Sequence, residues 1–342
     1  MIALAAAAVI VFESTTNNPA LPQVVVRSAP EQGQLTLHLR APGKLGPPIF
    51  ADIRRSHGKL ILTPRFNLSR GKTYRAILSI PDRPQVVADY TVPRREGLKS
   101  PEIVAIWPTT KTVPANLLKF YLHFSKPMRE GREIFDQIHI VESNGKRVHS
   151  PWRRQELWSE DARRLTLWIH PGRIKQGVNL RERFGPVLMP GHSYKLVLDP
   201  SIRCADGLPL GKSHMHEFRA VSEDKQKPLP QAWTLEAPAT NSREPLQIKF
   251  HEPIDRAMVE RHFDLHAPNG NRIQFTAETR SGDAVSLLTP KSPWVSGNHI
   301  LKVSQYFEDL AGNTRLRIFD RDLTKPSGTK GEATRYFAPV PR

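Results

Sequence analysis

Apolar and polar residues alternate with a period of two along most of the chain. Leu35, Leu37 and Leu39 would lie on one face of an extended strand. The same alternation recurs at residues 118–124, 165–169, 194–198 and 246–250. Successive side chains of a strand point to opposite sides of its sheet, so each run offers one apolar face to a core and one polar face to water. Helical periodicity is nearly absent, apart from one or two turns after Pro127 and after Pro253, and the pattern predicts an all-β chain of antiparallel sheets.

Two stretches of the chain carry the same short elements in the same order. The matched segments are 124–128 with 250–254, 144–148 with 269–273, 161–162 with 283–284, 190–194 with 295–299, and 206–207 with 309–313. The pairs Asn144-Gly145 and Asn269-Gly270 predict hairpins, because both central positions of a type I′ turn need positive φ. The repeat predicts two tandem copies of one domain, in which Phe124 and Phe250 should be equivalent and buried.

Three motifs of this repeat carry a family resemblance. They are a strand that ends in Phe-Ser-Lys-Pro-Met (124–128), a strand start Pro-Gly-x-x-Tyr (190–194) and a closing turn Asp-x-x-Gly-Asn (309–313). Together they resemble the bacterial Ig-like domain of S-layer and other surface proteins, the SbsA-like type. The resemblance covers residues 100 to 320 and less clearly 24–94. It implies Ig-like sandwiches that act as spacer, adhesion or polymer-contacting modules, with no common catalytic residues.

Polar, charged segments next to proline mark the predicted domain boundaries, near residues 94–97 and 223–228. We predict three tandem Ig-like antiparallel β-sandwich domains with little helix. The first, short domain covers residues 21–96, the second covers residues 97–224 with an insertion at 170–189, and the third covers residues 225–342. The 31 prolines fit this fold, since proline collects in turns and at sheet edges.

The N-terminal segment indicates export. Residues 2–12 form an apolar run that is too short to span a bilayer and suits the core of a signal peptide. We therefore predict a signal peptide or signal-anchor at residues 1–20, and the alternative is a buried N-terminal strand. The single cysteine, Cys204, excludes an internal disulfide, which fits a bacterial envelope protein. The predicted location is the periplasm, the cell surface or the medium.

The net charge of +17 is spread over all three domains. An even excess favours general attraction to polyanions over one nucleic-acid groove, and no basic helix or aromatic–basic strand motif is evident. The predicted partner is an anionic cell-envelope polymer or another envelope protein, and not a nucleic acid. Contact with a membrane is expected only through the N-terminal segment, if it is not cleaved.

No motif indicates catalysis, a cofactor or a metal. Nucleophile elbows, zinc-protease helices and phosphate-binding loops do not occur in the sequence. The segment 309–313, with Asp320 and Asp322 nearby, offers carboxylates for Ca²⁺, but Asp309 is better explained as a residue that caps its own turn while Gly312 takes positive φ. His214 and His216 share a strand face without an evident third ligand. The chain is predicted not to be an enzyme.

The insertion at residues 170–189 is the most unusual stretch, because long loops inside compact domains usually serve function or are disordered. Its basic and aromatic residues, with a tryptophan just before it, are the candidate binding residues: Arg173, Lys175, Arg181, Arg183, Phe184 and Trp168. Arginine offers bidentate donors to phosphate or carboxylate, and the aromatic rings offer stacking faces. The alternative is that the insertion covers a sheet edge, with Arg173 paired to a carboxylate. Trp152 and Trp158 are predicted to fill the core or a domain junction.

Two hypotheses from different classes follow. The leading one is an exported, non-catalytic envelope protein with a structural, adhesive or polymer-contacting role. The alternative is a polysaccharide-active hydrolase with its site in the insertion, although hydrolysis needs two facing carboxylates and the spacing favours no pair.

Overall fold

The structure is a computed structural model, and it describes residues 8–13, 18–93, 97, 99–320 and 331–341. The chain forms two compact units, Met1–Lys99 and Ser100–Arg342. Strands make up 43% and helices 8%, which confirms the prediction of an all-β chain of antiparallel sandwiches with little helix. In the described part of the chain, none of the helices is long and apolar enough to span a membrane.

The first unit is a sandwich of two four-stranded sheets. Its strands are β1 (Val9–Glu13), β2 (Gln23–Arg27), β3 (Gln34–Ala41), β4 (Lys44–Pro48), β5 (Ala51–Ser56), β6 (Lys59–Pro64), β7 (Thr73–Ser79) and β8 (Val86–Thr91). The sheet orders are β1-β2-β6-β5 and β4-β3-β7-β8. Leu35 and Leu37 of β3 reach the core as the alternation predicts, whereas Leu39 near the end of the strand is exposed.

Strand β1 bears on the predicted export signal. It pairs antiparallel with β2, and Ile10 lies in the core of the first unit. This is the arrangement that the alternative interpretation, a buried N-terminal strand, predicts. Residues 1–7 and 14–17 lie outside the described residues, and the signal at residues 1–20 stays a prediction.

The second domain has a four-stranded sheet, β10-β15-β14-β12, and a three-stranded sheet, β13-β11-β9. Its elements are β9 (Ile103–Trp107), β10 (Thr112–Pro114), β11 (Lys119–Phe124), a 3-10 helix (Arg132–Asp136), β12 (Ile138–Glu142), β13 (Arg164–Trp168), α1 (Pro171–Ile174), α2 (Asn179–Phe184), β14 (Ser193–Leu198) and β15 (His214–Val221). Its pairings are antiparallel except for β10 with β15. Trp152 is buried and Trp158 packs against the same core, which confirms their predicted role.

The third domain repeats the sandwich with sheets β16-β17-β21-β20 and β19-β18-β22-β23. Its elements are 3-10 helices (Pro230–Ala232 and Arg256–Met258), β16 (Thr234–Glu236), β17 (Leu246–Lys249), α3 (Val259–His262), β18 (Phe263–His266), β19 (Arg272–Ile273), β20 (Phe275–Arg280), β21 (Val285–Pro290), β22 (His299–Val303) and β23 (Ala333–Phe337). Trp233 and Trp294 lie at the centre of its core. The short helices after Pro127 and Pro253 occur where the sequence predicts them.

Phe124 and Phe250 are both buried, at 3% and 7% exposure, as predicted. Each ring packs near a tryptophan, Trp158 in the second domain and Trp233 in the third. The backbone hydrogen bonds around them correct the repeat alignment by one residue. In the second domain, the Phe124 N–H donates to the Arg163 carbonyl and the Met128 N–H donates to the Ala162 carbonyl. In the third domain, the equivalent bonds run from Phe250 to Ala284 and from Ile254 to Asp283. Ala162 is therefore the counterpart of Asp283, and both take positive φ, at 52° and 68°.

The face of β11 that the alternation leaves polar is covered by the third domain instead of water. Lys119 and Tyr121 are each 6% exposed. The ammonium of Lys119 pairs with Asp255 at 3.3 Å and with Glu308, and the Tyr121 hydroxyl donates to Asp255 at 2.7 Å. The expectation of a solvent-exposed face was wrong here, because alternation cannot distinguish water from the polar surface of a neighbouring domain.

A second polar contact joins the two domains around Asp283, whose side chain is fully buried. The Thr109 N–H and hydroxyl donate to its carboxylate at 2.5 and 3.0 Å, and Arg256 donates at 3.4 Å. The guanidinium of Arg256 also lies 4.5 Å from the centre of the Trp107 ring. Such buried charges are stable only when they are paired and hydrogen-bonded, so this junction is a defined interface.

His123 lies at the edge of the same junction, where its ring centroid is 3.9 Å from that of Trp107. Burial, together with Arg164 and Arg256, lowers the pKa of His123 to about 4. Its contribution to stability is present above the unfolded pKa of about 6.5 and is lost as the pH falls through about 4.

We expect His123→Phe to flatten this acid loss of stability, while His266→Phe, in the same unit, leaves it unchanged. Thermal unfolding midpoints of the wild type and both variants at pH 7 and pH 4 measure the effect. Equal acid shifts in all three proteins would assign the loss to other groups.

Candidate functional site

The insertion that carries the predicted binding residues is folded rather than an open loop. It contains α1 and α2, which pack on one another. The His170 ring accepts the Gly172 N–H at 3.1 Å and so caps the start of α1. Gly185 ends α2 with a φ of 72°, a conformation that favours glycine.

Arg173 is at the centre of this small structure and is only 4% exposed. Its guanidinium donates to the carbonyl oxygens of Gly185 at 2.5 Å, His149 at 2.7 Å, Pro186 at 3.1 Å and Phe184 at 3.2 Å. Burial lowers the pKa of Arg173. These four hydrogen bonds give Arg173 a structural role within the insertion, and its predicted role as an anion ligand stays a prediction. Its partners are carbonyl oxygens, not the carboxylate that the alternative interpretation named.

Lys175, Arg181 and Trp168 also make contacts within the protein. Arg181 donates to the Ile174 carbonyl and forms an ion pair with Glu223 at 2.6 Å. The ammonium of Lys175 lies 4.9 Å from the centre of the Phe319 ring. Trp168 is half-buried, with the Lys119 ammonium 5.6 Å and the Arg153 guanidinium 5.7 Å from its ring centre.

Arg183 and Phe184 are the two predicted residues that face solvent. The Arg183 guanidinium lies 5.0 Å from the centre of the Phe184 ring, which is 40% exposed. The His149 ring lies 5.2 Å from the same ring. This contact connects the insertion to a cleft on the neighbouring surface.

The cleft has a volume of about 320 Å³ and contains four basic or imidazole side chains. They are His139, Arg147, His149 and Arg154. Asp136, the acidic side chain among the residues that line it, pairs with Arg154 at 2.5–2.7 Å. The buried Trp152 indole forms part of the wall and donates to the Ile138 carbonyl at 2.8 Å.

The electrostatics of the cleft favour anions at neutral pH. The hydrogen bond from Arg154 lowers the pKa of Asp136, and burial with the nearby Arg147 lowers the pKa of His139. Arg147 is exposed on the wall of the cleft and presents a guanidinium there, the group that binds carboxylate and phosphate best. The sequence did not indicate these residues, because Arg147 occurred only as part of a hairpin match and the fold alone brings His149 of the cleft against Phe184.

A second group of polar side chains lies where the two domains of the second unit meet. Asp224, Glu252 and Asp309 each place one carboxylate oxygen within 4.8 Å of the others, and this is the group of potential metal ligands found among the described residues. His214 and His216 do not belong to it. Asp320 accepts the Gln176 N–H at 3.1 Å, and Asp322 lies outside the described residues.

Asp309 caps its own turn as the sequence predicts. Its Oδ1 accepts the N–H groups of Ala311 at 2.8 Å and Asn313 at 2.9 Å, and Gly312 has a φ of 77°. Its Oδ2 is buried without a hydrogen-bond partner. Burial and the nearby carboxylates raise the pKa of Asp309 well above its usual value and that of Glu252 to about 7.

Comparison with known proteins gives likeness of fold only. No family model matches the chain, and no curated protein matches its sequence. The titin I9–I11 tandem covers 95% of this chain and 95% of its own at 10% identity and a TM-score of 0.22. Three chicken CNTN1 FN1–FN3 domains cover 97% of both chains at 10% identity and a TM-score of 0.22. The N-terminal part of the bacterial S-layer protein SbsC covers 60% of this chain and 40% of its own, at 12% identity and a TM-score of 0.24.

At these identities and TM-scores, no partner or activity of those proteins can be assigned to this chain, and the SbsA-like type stays a prediction. The fold class rests on the sheets of the chain itself.

Proposed function

We propose that this chain is an exported, non-catalytic protein of the bacterial envelope that contacts anionic polymers through the cleft of its second domain. The observation that carries the proposal is the exposed pair of Arg183 and Phe184, joined through His149 to a cleft that also presents Arg147. Cations beside an aromatic face match a polymer that carries carboxylate, phosphate or sulfate groups on sugar rings.

The hydrolase alternative has less support. The insertion contains one acidic residue, Glu182, and the cleft contributes Asp136, which is held by Arg154. Hydrolysis of a glycosidic bond needs an acid and a second carboxylate on opposite sides of that bond. Neither place offers such a pair among the described residues.

The remaining parts of the proposal come from sequence. The apolar run at residues 2–12 supports export, and the even basic charge supports attraction to a polyanion rather than to a defined nucleic-acid site. An anionic polymer or another envelope protein is therefore the proposed partner. Exposed charges are screened over about 8–10 Å at physiological salt, so binding should weaken steeply as salt rises.

Dextran sulfate, with uncharged dextran as the control ligand, tests the site. We expect the triple variant Arg147→Ala, His149→Ala and Arg183→Ala to bind dextran sulfate at least about tenfold more weakly, a loss of about 1.4 kcal/mol. Titration calorimetry at two salt concentrations measures the affinity.

The matched control replaces three exposed cations of the first unit, Lys44, Arg54 and Lys59, with alanine. This removes three formal positive charges, against two and a histidine in the cleft variant, without touching the cleft. Equal losses in the two triple variants would mean that attraction is diffuse and that the cleft is not the contact site. If neither variant loses affinity, the polymer-binding proposal fails.

A further inference from the structure

We infer that the junction between the second and third domains binds one Ca²⁺ ion through the carboxylates of Asp224, Glu252 and Asp309. These residues come from three separate segments: the linker after β15, the turn after β17 and the closing turn of the third domain. This inference is independent of the polymer-binding proposal, because none of the three residues lines the cleft.

The spacing of the three carboxylates fits one ion. Their nearest oxygens all lie within 4.8 Å of one another. Ca²⁺ binds six to eight oxygens at about 2.3–2.6 Å, so two ligands of one ion lie up to about 5 Å apart. Three carboxylates, together with carbonyl oxygens or waters, form a ligand set for a hard cation; the group contains no thiolate or imidazole of the kind that Zn²⁺ prefers.

The second observation is the unpartnered oxygen of Asp309. The residue is 1% exposed, and its Oδ2 has no hydrogen-bond partner although Oδ1 has two. An unpaired buried carboxylate is costly, and the other buried acids of this junction avoid that cost. Asp255 pairs with Lys119, and Asp283 accepts from Thr109 and Arg256. Asp309 instead has two more carboxylates beside it.

Among the described residues, the basic side chains near the group pair mainly with other acids. Lys225 pairs with Glu223 at 3.2 Å, and Arg181 pairs with the same Glu223. The His251 Nε2 lies 3.1 Å from Glu252 Oε1, yet that oxygen has no hydrogen bond of good geometry. A divalent cation would offset the mutual repulsion of these three closely spaced carboxylates.

Buried amides hold the linker in place for this site. Asn116 of the second domain exchanges two hydrogen bonds with the backbone of Asp224, at 2.7 and 2.8 Å. Asn313 of the third domain donates to the same Asp224 carbonyl at 3.2 Å. The carboxylate of Asp224 is thus positioned by both domains, as a ligand shared across the junction requires.

The repeat shows that the sandwich does not need these polar groups. Equivalent bridges join Met128 to Cys204 and Ile254 to Asp309, so Cys204 is the counterpart of Asp309. Likewise the N–H of Cys204 bonds to the Leu208 carbonyl where that of Asp309 bonds to Asn313. The second domain closes the same turn with a buried cysteine and a leucine, so the buried Asp309 needs an explanation beyond folding.

Calcium titration of the full chain after treatment with EDTA tests the inference. We expect one Ca²⁺ per chain by calorimetry and a rise in the thermal unfolding midpoint of the second unit. Asp309→Asn keeps an oxygen for the two turn N–H groups and should weaken Ca²⁺ binding at least about tenfold; Glu252→Gln should do the same. Asp161→Asn, which alters a turn-capping aspartate outside the three proposed ligands, should leave the affinity unchanged.

The absence of both heat and a thermal shift up to about 10 mM CaCl₂, above the range of weak extracellular calcium modules, would overturn the inference. Unchanged affinity in both junction variants would also overturn it. Magnesium is the competing occupant: MgCl₂ binding as tightly as CaCl₂ would refute the assignment to Ca²⁺.

Discussion

Replacing Lys119 with methionine should lower the free energy of unfolding of the second unit by about 3–5 kcal/mol, because removal of one partner leaves a buried charge uncompensated. Lys119 is 6% exposed and pairs with both Asp255 and Glu308. Burial alone would lower the pKa of Lys119, but the two carboxylates outweigh it and the pKa is raised. The ammonium is therefore charged in the folded protein, and methionine of similar length would leave the Asp255 carboxylate with neutral donors, the Tyr121 hydroxyl and the Ala257 N–H.

Urea unfolding followed by tryptophan fluorescence measures this loss. Lys195→Met is the matched control, since Lys195 pairs with Glu217 at 2.8 Å on an exposed strand face with 42% and 64% exposure. Exposed pairs contribute about 0–1 kcal/mol, so the control should be nearly neutral. A similar small loss in both variants would mean that water enters the junction and that Lys119 is not a buried charge.

The same strand shows how far sequence could predict this fold. Alternation located β11 and placed Phe120 and Leu122 in the core, because period-two burial is a local property of strands. It assigned Lys119 and Tyr121 to water, because the partner of their face comes from residues about 135 and 190 positions later in the chain. A contact between residues so far apart in the chain leaves no periodic pattern in the sequence of β11.

The repeat was predictable in outline and not in register. Short motifs matched Asp161 with Asp283, whereas the hydrogen bonds match Ala162 with Asp283. The one-residue error arises because both residues are aspartates. Asp161 caps an exposed turn and Asp283 accepts hydrogen bonds across a domain junction, and sequence alone does not distinguish these roles. A separate mismatch, of residues 206–207 with 309–313, concealed the exchange of Cys204 for Asp309 on which the calcium inference depends.

The candidate binding residues show the same limit. A long basic insertion was visible in the sequence, and Arg183 and Phe184 are exposed as a ligand site requires. The basic cleft beside them was not visible, because Arg147 and His149 come from a different hairpin. Composition also cannot tell an arginine that binds a ligand from one that binds carbonyl oxygens of its own chain.

Arg173→Ala is the variant in which those two roles predict different outcomes. Hydrogen bonds to charged groups contribute about 1.5–3 kcal/mol, and removing a donor leaves its buried partners unsatisfied. Arg173 donates to four carbonyl oxygens and lies 5.9 Å from the centre of the Phe184 ring. We expect a loss of about 3 kcal/mol in the stability of the second unit, since the four contributions are not additive.

Urea unfolding gives the stability, and limited proteolysis reports whether α1 and α2 detach before the sandwich unfolds. Arg183→Ala is the matched control within the same insertion: it removes an exposed guanidinium, so stability should change by less than about 0.5 kcal/mol while dextran sulfate binding weakens. If Arg173→Ala were as stable as the wild type and lost dextran sulfate binding, Arg173 would be the ligand-binding residue that the sequence first suggested. Because its donors already bind four carbonyl oxygens that have replaced water, we expect the opposite: Arg173 supports the insertion, and Arg183 meets the polymer.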